Sequence, residues 1–145
     1  MSKGIKAMFN TGGHGKPASI GLLLARLFAG GFLFVAHGLP KALDFSKIVQ
    51  TFPDPFTLTP QHSLYAVLAA EVAAALCVAL GFFTRVAAVP LAVHTGISAV
   101  YLQIIKNKAT LHAPELEVMC LYTGLFLLLA FAGPGRMSVD HLISK

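Results

Sequence analysis

The sequence predicts an all-α protein, a bundle of four transmembrane helices. Hydrophobic residues make up 56% of the 145 residues and charged residues only 12%, roughly half the charged share of a soluble domain. The apolar residues gather in four runs of about 20, the length at which an α-helix crosses a bilayer. Because a soluble fold could not cover so much apolar surface, we expect a lipid bilayer around a single transmembrane domain, residues 1–145.

Helix-breaking residues separate the four apolar runs and set the limits of the predicted spans. Residues 1–16 are polar and rich in glycine, which predicts a flexible arm, and Pro17 suits the first turn of the helix that follows. Proline, glycine and lysine residues end the later runs. The predicted spans are 18–39, 63–83, 86–105 and 115–132.

The connection after the first span predicts an additional amphipathic helix, over 42–52. Its apolar residues recur at the spacing of one helical face. They are Phe45, Ile48, Val49 and Phe52. A helix of this kind lies along the membrane surface, with the apolar face toward lipid or toward the bundle.

The basic residues predict that both termini are cytoplasmic. Lys3, Lys6 and Lys16 precede the first span, and the flank of the first span usually sets the orientation. An even number of spans then returns the C-terminus to the same side. The net charge of +5 is accounted for by residues near span ends, so we expect no nucleic-acid partner.

Charged residues inside the predicted spans are the first candidates for a functional site. Each costs about 2.5–3.5 kcal/mol at the bilayer centre unless it faces protein or water. Arg26 in the first span and Glu71 in the second are expected in the same middle layer of neighbouring antiparallel helices, which predicts a buried ion pair. Two interpretations stay open: the pair joins the helices, or it lines a polar cavity that binds an anion or a quinone-like head group.

Four further polar residues are candidate ligand contacts. His37 lies three helical turns after Arg26, and Lys41 follows at the end of the first span. His94 lies in the third span, and Glu117 begins the fourth. Each also has a structural interpretation, as an interfacial residue or as part of a packing network.

The histidines and cysteines do not predict a metal site, since they are scattered in depth along the spans. Cys77 and Cys120 lie in apolar runs at depths that differ by about 10 Å, too far for a disulfide. Ser138 is a suitable N-cap for a short helix at the C-terminal end.

Four segments, in order, resemble the DoxX family of small four-span membrane proteins. They are LLLARLFAGGFLFVAHGLPK in the first span, AEVAAALCVALGFFTRVAA across the next two, E-x4-Y in the fourth, and GPGRMSVD after it. The resemblance covers roughly residues 18–143. It implies a four-helix fold in the bacterial inner membrane.

The resemblance also nominates residues that match recurring positions of the family. Beyond Arg26, Lys41, Glu71 and Glu117, these are expected to be structural: Gly38, Gly81, Arg85, Gly133, Pro134, Gly135, Arg136, Ser138 and Asp140. Some members of the family are subunits of a thiosulfate:quinone oxidoreductase, and others are associated with thiol-redox and oxidative-stress systems.

Two functional hypotheses follow. In the first, the chain is a membrane subunit of a redox system that binds quinone or a small sulfur oxyanion at a buried Arg26–Glu71 site. The alternative is a non-enzymatic scaffold or assembly partner for another membrane or membrane-associated protein. The sequence has no C-x-x-C pair and no evident flavin or haem site, which argues against catalysis by this chain alone.

Overall fold

The computed structural model describes residues 15–54, 59–104 and 114–143, and no strand occurs among them. The α-helices are α1 (Lys16–Leu33), α2 (Leu39–Leu43), α3 (Phe45–Ile48), α4 (Pro60–Leu68), α5 (Ala75–Leu80), α6 (Thr84–Ile104), α7 (Pro114–Ala132) and α8 (Val139–Ile143). Two π-helical segments, Phe34–Gly38 and Ala69–Ala74, join α1 to α2 and α4 to α5. The predicted flexible arm lies almost entirely outside the described residues.

Among the described residues, three continuous helices are long and apolar enough to cross a membrane: Lys16–Leu43, Pro60–Leu80 and Pro114–Ala132. They match three of the predicted spans and are called here the first, second and fourth spans. α6 has 21 residues, about 31 Å at the helical rise, and is the candidate for the remaining span. The all-α helical bundle predicted from the sequence is therefore confirmed.

The first span extends beyond its predicted end. The predicted span ends at residue 39, just before Pro40, but the helix continues to Leu43. Proline cannot donate a backbone hydrogen bond, and its ring crowds the carbonyl four residues earlier. Just before Pro40 the backbone hydrogen bonds change to the wider π pattern, in which the Leu39 N–H bonds to the Phe34 carbonyl five residues earlier.

The amphipathic helix expected over 42–52 is shorter and is broken at Asp44, whose φ of −98° and ψ of 24° are not helical. Asp44 accepts a hydrogen bond from Lys47 Nζ at 2.7 Å, and this bond raises the pKa of Lys47. The four apolar residues of the predicted face are half-buried, whereas Leu43 is 78% exposed. Phe45 stacks on Tyr65 of the second span, with ring centroids 5.1 Å apart.

Small and branched apolar residues, together with Phe126, fill the bundle core, and many large apolar residues cover the outside. The core holds Leu33, Ala75, Val78, Leu91, Phe126 and Leu129, each 1% exposed or less. Phe131 is 80% exposed and Leu121 is 73% exposed. Exposed apolar side chains of this size, on helices of this length, indicate contact with lipid.

Glycines set the register between the first two spans. A Cβ on Gly30 would lie 2.5 Å from the Ala75 carbonyl oxygen, and a Cβ on Gly38 would lie 2.6 Å from that of Glu71. The two backbones therefore approach as closely as only glycine permits, a common device in membrane helix packing. This register decides which buried charges can meet.

Candidate functional site

Glu71 lies at the centre of a charged cluster inside the bundle. Lys41 Nζ donates hydrogen bonds to both carboxylate oxygens of Glu71, at 2.5 Å each. His94 Nε2 is 2.9 Å from Glu71 Oε1, a hydrogen bond when that nitrogen carries the proton. We call Lys41, Glu71 and His94 the Glu71 cluster; it joins the first span, the second span and α6.

Exposure within the Glu71 cluster is graded. The side chain of Glu71 is 4% exposed, that of His94 17% and that of Lys41 26%. The carboxylate is thus enclosed, while the Lys41 side chain is partly exposed.

Both π-helical segments lie at this cluster. Glu71 is in Ala69–Ala74, and Phe34–Gly38 packs against that segment. π-segments leave a backbone ladder irregular and often occur at functional sites. The first of them has a local cause in Pro40, and Gly38 lets the Glu71 backbone approach the first span.

His37 and Tyr122 extend the cluster toward the fourth span. His37 is half-buried and interacts electrostatically with all three members of the Glu71 cluster. The Tyr122 ring meets the His37 ring edge to face, with centroids 6.2 Å apart and planes at 90°. Tyr122 was named only as part of the E-x4-Y match, and no separate signal in the sequence assigned it to the site.

The direct ion pair predicted between Arg26 and Glu71 is not formed. Both residues are buried as expected, at 0% and 3% exposure. However, Arg26 lies beside Gly81, where an added Cβ would overlap its Nη1. Gly81 is ten residues past Glu71, about 15 Å along a helix. The assumption that the two charges share one layer was therefore wrong.

Arg26 instead contacts the C-terminal tail. Its Nη2 donates to the Met137 carbonyl oxygen at 2.5 Å, and its Nε donates to the Leu22 carbonyl oxygen at 3.4 Å. Asp140 lies close enough to interact with it electrostatically. The guanidinium thus holds residues 133–143, which we call the tail, against the end of the bundle opposite the Glu71 cluster.

Asp140 caps α6 from the tail. Its carboxylate accepts hydrogen bonds from the Phe83 N–H at 2.7 Å, the Thr84 N–H at 3.0 Å and the Thr84 hydroxyl at 3.1 Å. The Asp140 N–H donates in turn to the Gly81 carbonyl oxygen at 2.9 Å. An acidic side chain at a helix N-terminus satisfies free N–H groups and favours the helix dipole.

The other tail residues pack and bond close to the bundle end. Gly133 has φ +85° and lies against the Arg85 guanidinium, where an added Cβ would come within 2.7 Å of Nε. The Arg136 N–H donates to the Ser19 hydroxyl at 3.3 Å. Ser138 accepts a hydrogen bond from the His141 N–H at 3.1 Å, which confirms it as the N-cap of α8. Buried in the same turns are Gly81, Pro134 and Gly135.

Unlike the residues of the Glu71 cluster, Glu117 is exposed to the surroundings of the bundle. It is exposed near the start of α7 and lines an open groove of about 970 Å³ on that helix. Cys120 is exposed in the same groove, whereas Cys77 is half-buried and is not part of its lining. Both cysteines are free thiols.

Comparison with known proteins places the chain in a family. The model of the DoxX family matches residues 21–103, more than half of the chain. The chain belongs to the DoxX family. The matched range contains all three residues of the Glu71 cluster, whereas the tail lies beyond it.

Two relatives of this DoxX protein cover most of its length. Inner membrane protein YphA of Escherichia coli (strain K12) is 32% identical over 124 residues, which are 83% of this chain and 88% of that protein. An uncharacterized protein of Haemophilus influenzae (strain ATCC 51907 / DSM 11121 / KW20 / Rd) is 30% identical over 117 residues, 79% and 84% respectively. No solved structure matches the chain significantly. The inner membrane relative and the three apolar helices agree that the chain is a membrane protein.

Proposed function

We propose that this chain is a membrane subunit of a redox system and that it binds a quinone-type head group at the Glu71 cluster. The observation that supports this most is the enclosed Glu71 carboxylate between Lys41 and His94. An ionisable group inside a membrane bundle is costly, and such groups are commonly retained for ligand or proton pathways.

The donors and acceptors of the cluster suit a quinone head group. The Lys41 ammonium has three N–H donors, and the His94 or His37 ring can present another. Either can donate to a quinone carbonyl, and the Glu71 carboxylate can accept from a quinol hydroxyl. A bound quinone supplies two-electron chemistry that also takes up two protons; this chain would orient the head group and exchange a proton at Glu71.

The charge balance favours a neutral head group over a sulfur oxyanion. Lys41 already pairs with Glu71, so the cluster has a net charge near zero when His94 is neutral. Arg26, the cation first considered for an anion, is fully buried and bonded to the Leu22 carbonyl in α1 and the Met137 carbonyl in the tail. An incoming anion would compete with Glu71 for Lys41 and leave that carboxylate without its cation, which is unfavourable.

Binding of a short-tail quinone to the purified chain tests the proposal. Isothermal titration calorimetry with ubiquinone-1 in detergent should show saturable binding, which Lys41→Met and Glu71→Gln should weaken by at least about tenfold, the effect of roughly 1.4 kcal/mol. The surface pair Lys47 and Asp44 provides matched controls, since Lys47→Met and Asp44→Asn make the same changes outside the cluster.

Each result decides between the candidate functions. Thiosulfate binding without ubiquinone-1 binding would contradict the quinone proposal and support the oxyanion. Absence of both, together with a protein that copurifies in stoichiometric amount, would support the scaffold alternative. Equal weakening by the cluster variants and the surface controls would show that the Glu71 cluster is not the site.

A further inference from the structure

One face of the fourth span carries an open groove that includes Tyr122. The groove has a volume of about 970 Å³, and its lining includes Tyr122, Gly124, Leu125 and Leu128. Most of the lining is apolar.

Tyr122 connects this groove to the charged residues. It lines the groove and also contacts the His37 ring edge to face. His37 in turn interacts with Lys41, Glu71 and His94. A polar region and an apolar region therefore adjoin at Tyr122, an arrangement that matches a ligand with a polar head and an apolar tail.

We propose that the α7 groove and the Glu71 cluster form one site for an amphiphile that enters sideways from the bilayer. The head group lies at the Glu71 cluster, and the apolar tail passes Tyr122 and lies along Gly124 and Leu128. This inference rests on the proposed function and adds the tail as a recognised part of the ligand. Gly124 keeps the groove open, since no atom lies within 4 Å of the position of an added Cβ.

A photoreactive quinone tests where the tail lies. The probe is a benzoquinone with a decyl tail that carries a diazirine at its end, added to the full chain in lipid nanodiscs. After irradiation, mass spectrometry should find the label within 117–128, and excess decylubiquinone should abolish it. Gly124→Leu fills the groove and should remove this label while leaving ubiquinone-1 binding within about twofold.

Gly21→Leu is the matched control, because an added Cβ at Gly21 also meets no atom within 4 Å. It should keep both the label and ubiquinone-1 binding. Equal labelling of α7 and of the exposed Phe28–Phe32 face of α1, with ubiquinone-1 binding intact, would overturn the tail site alone. Label in the groove that decylubiquinone does not displace would also overturn the tail site. A crosslink between the groove and a helix of a second protein would do the same. If the unmodified chain does not bind ubiquinone-1, the proposed function itself is refuted.

Discussion

Lys41 from the first span and His94 from α6 both contact the Glu71 carboxylate. Lys41 contacts both oxygens, whereas His94 contacts one. The carboxylate therefore keeps the His94 imidazole as a hydrogen-bond partner if a ligand draws the ammonium away. A site that must exchange a ligand without stranding a buried charge requires such a second partner.

The Lys41–Glu71 pair should be energetically coupled. Glu71→Ala and Lys41→Ala should each lower the free energy of unfolding by about 3–5 kcal/mol, because each leaves a charge without its partner in the bundle. Glu71→Ala leaves Lys41 without its partner, and because Lys41 is partly exposed, the loss of stability should be near the lower end of this range. The double variant should cost less than the sum of the two, as measured by reversible denaturation in mixed micelles. Strict additivity would show that the two residues do not interact in the folded protein.

At the level of elements, the first and second spans meet through glycine. Gly30→Ala should lower the free energy of unfolding by about 1–3 kcal/mol, since the new methyl would force the backbones apart. The neighbouring Gly31 has no atom within 4 Å of an added Cβ, so Gly31→Ala should leave the melting temperature almost unchanged. Equal effects of both variants would contradict the close packing described here.

The tail is a second element whose contribution can be measured. Asp140→Ala removes the side chain that caps α6 and should cost about 2 kcal/mol, as loss of a strong N-cap does. Hydrogen exchange should become faster at Phe83 and Thr84, whose N–H groups it binds. Asp44→Ala, at an exposed carboxylate, should change neither. Unchanged exchange in the Asp140 variant would mean that the tail does not cap the helix.

The elements were more predictable from sequence than the contacts between them. Runs of about 20 apolar residues dominate the sequence, so the helices and most of their limits could be read directly. The ion-pair partner of Glu71 could not be predicted from the sequence, because it depends on the register that Gly30 and Gly38 set against the second span. Counting turns from Arg26 also fails beyond Phe34, where the π-segment changes the helical repeat.

Two regions of the whole molecule have different tasks in this arrangement. The Glu71 cluster lies where the first span nears its C-terminal end, and the tail closes the opposite end of the bundle through Arg26 and Asp140. The residues first grouped as one Arg26–Glu71 site thus separate into a candidate ligand site and a structural closure.

The basic residues near the span ends predict the orientation of the whole molecule in the membrane. We expect both termini in the cytoplasm, because the flank of the first span carries Lys3, Lys6 and Lys16. The tail would then close the cytoplasmic end, and the Glu71 cluster would lie nearer the outer side. Lys41, predicted at the outer end of the first span, is half-buried and paired with Glu71, so the outer connection has one unpaired basic residue fewer and the inward bias strengthens.

Single cysteines introduced on the two sides test this orientation. In a Cys77→Ala, Cys120→Ala background, Thr51→Cys lies in the exposed connection after the first span, and Leu142→Cys lies in the tail, where Leu142 is 71% exposed. A membrane-impermeant maleimide added to intact spheroplasts should label the first, and should label the second only after the membrane is permeabilised. The reverse pattern would place both termini outside and turn the Glu71 cluster toward the cytoplasm, while leaving the fold and the proposed site geometry unchanged.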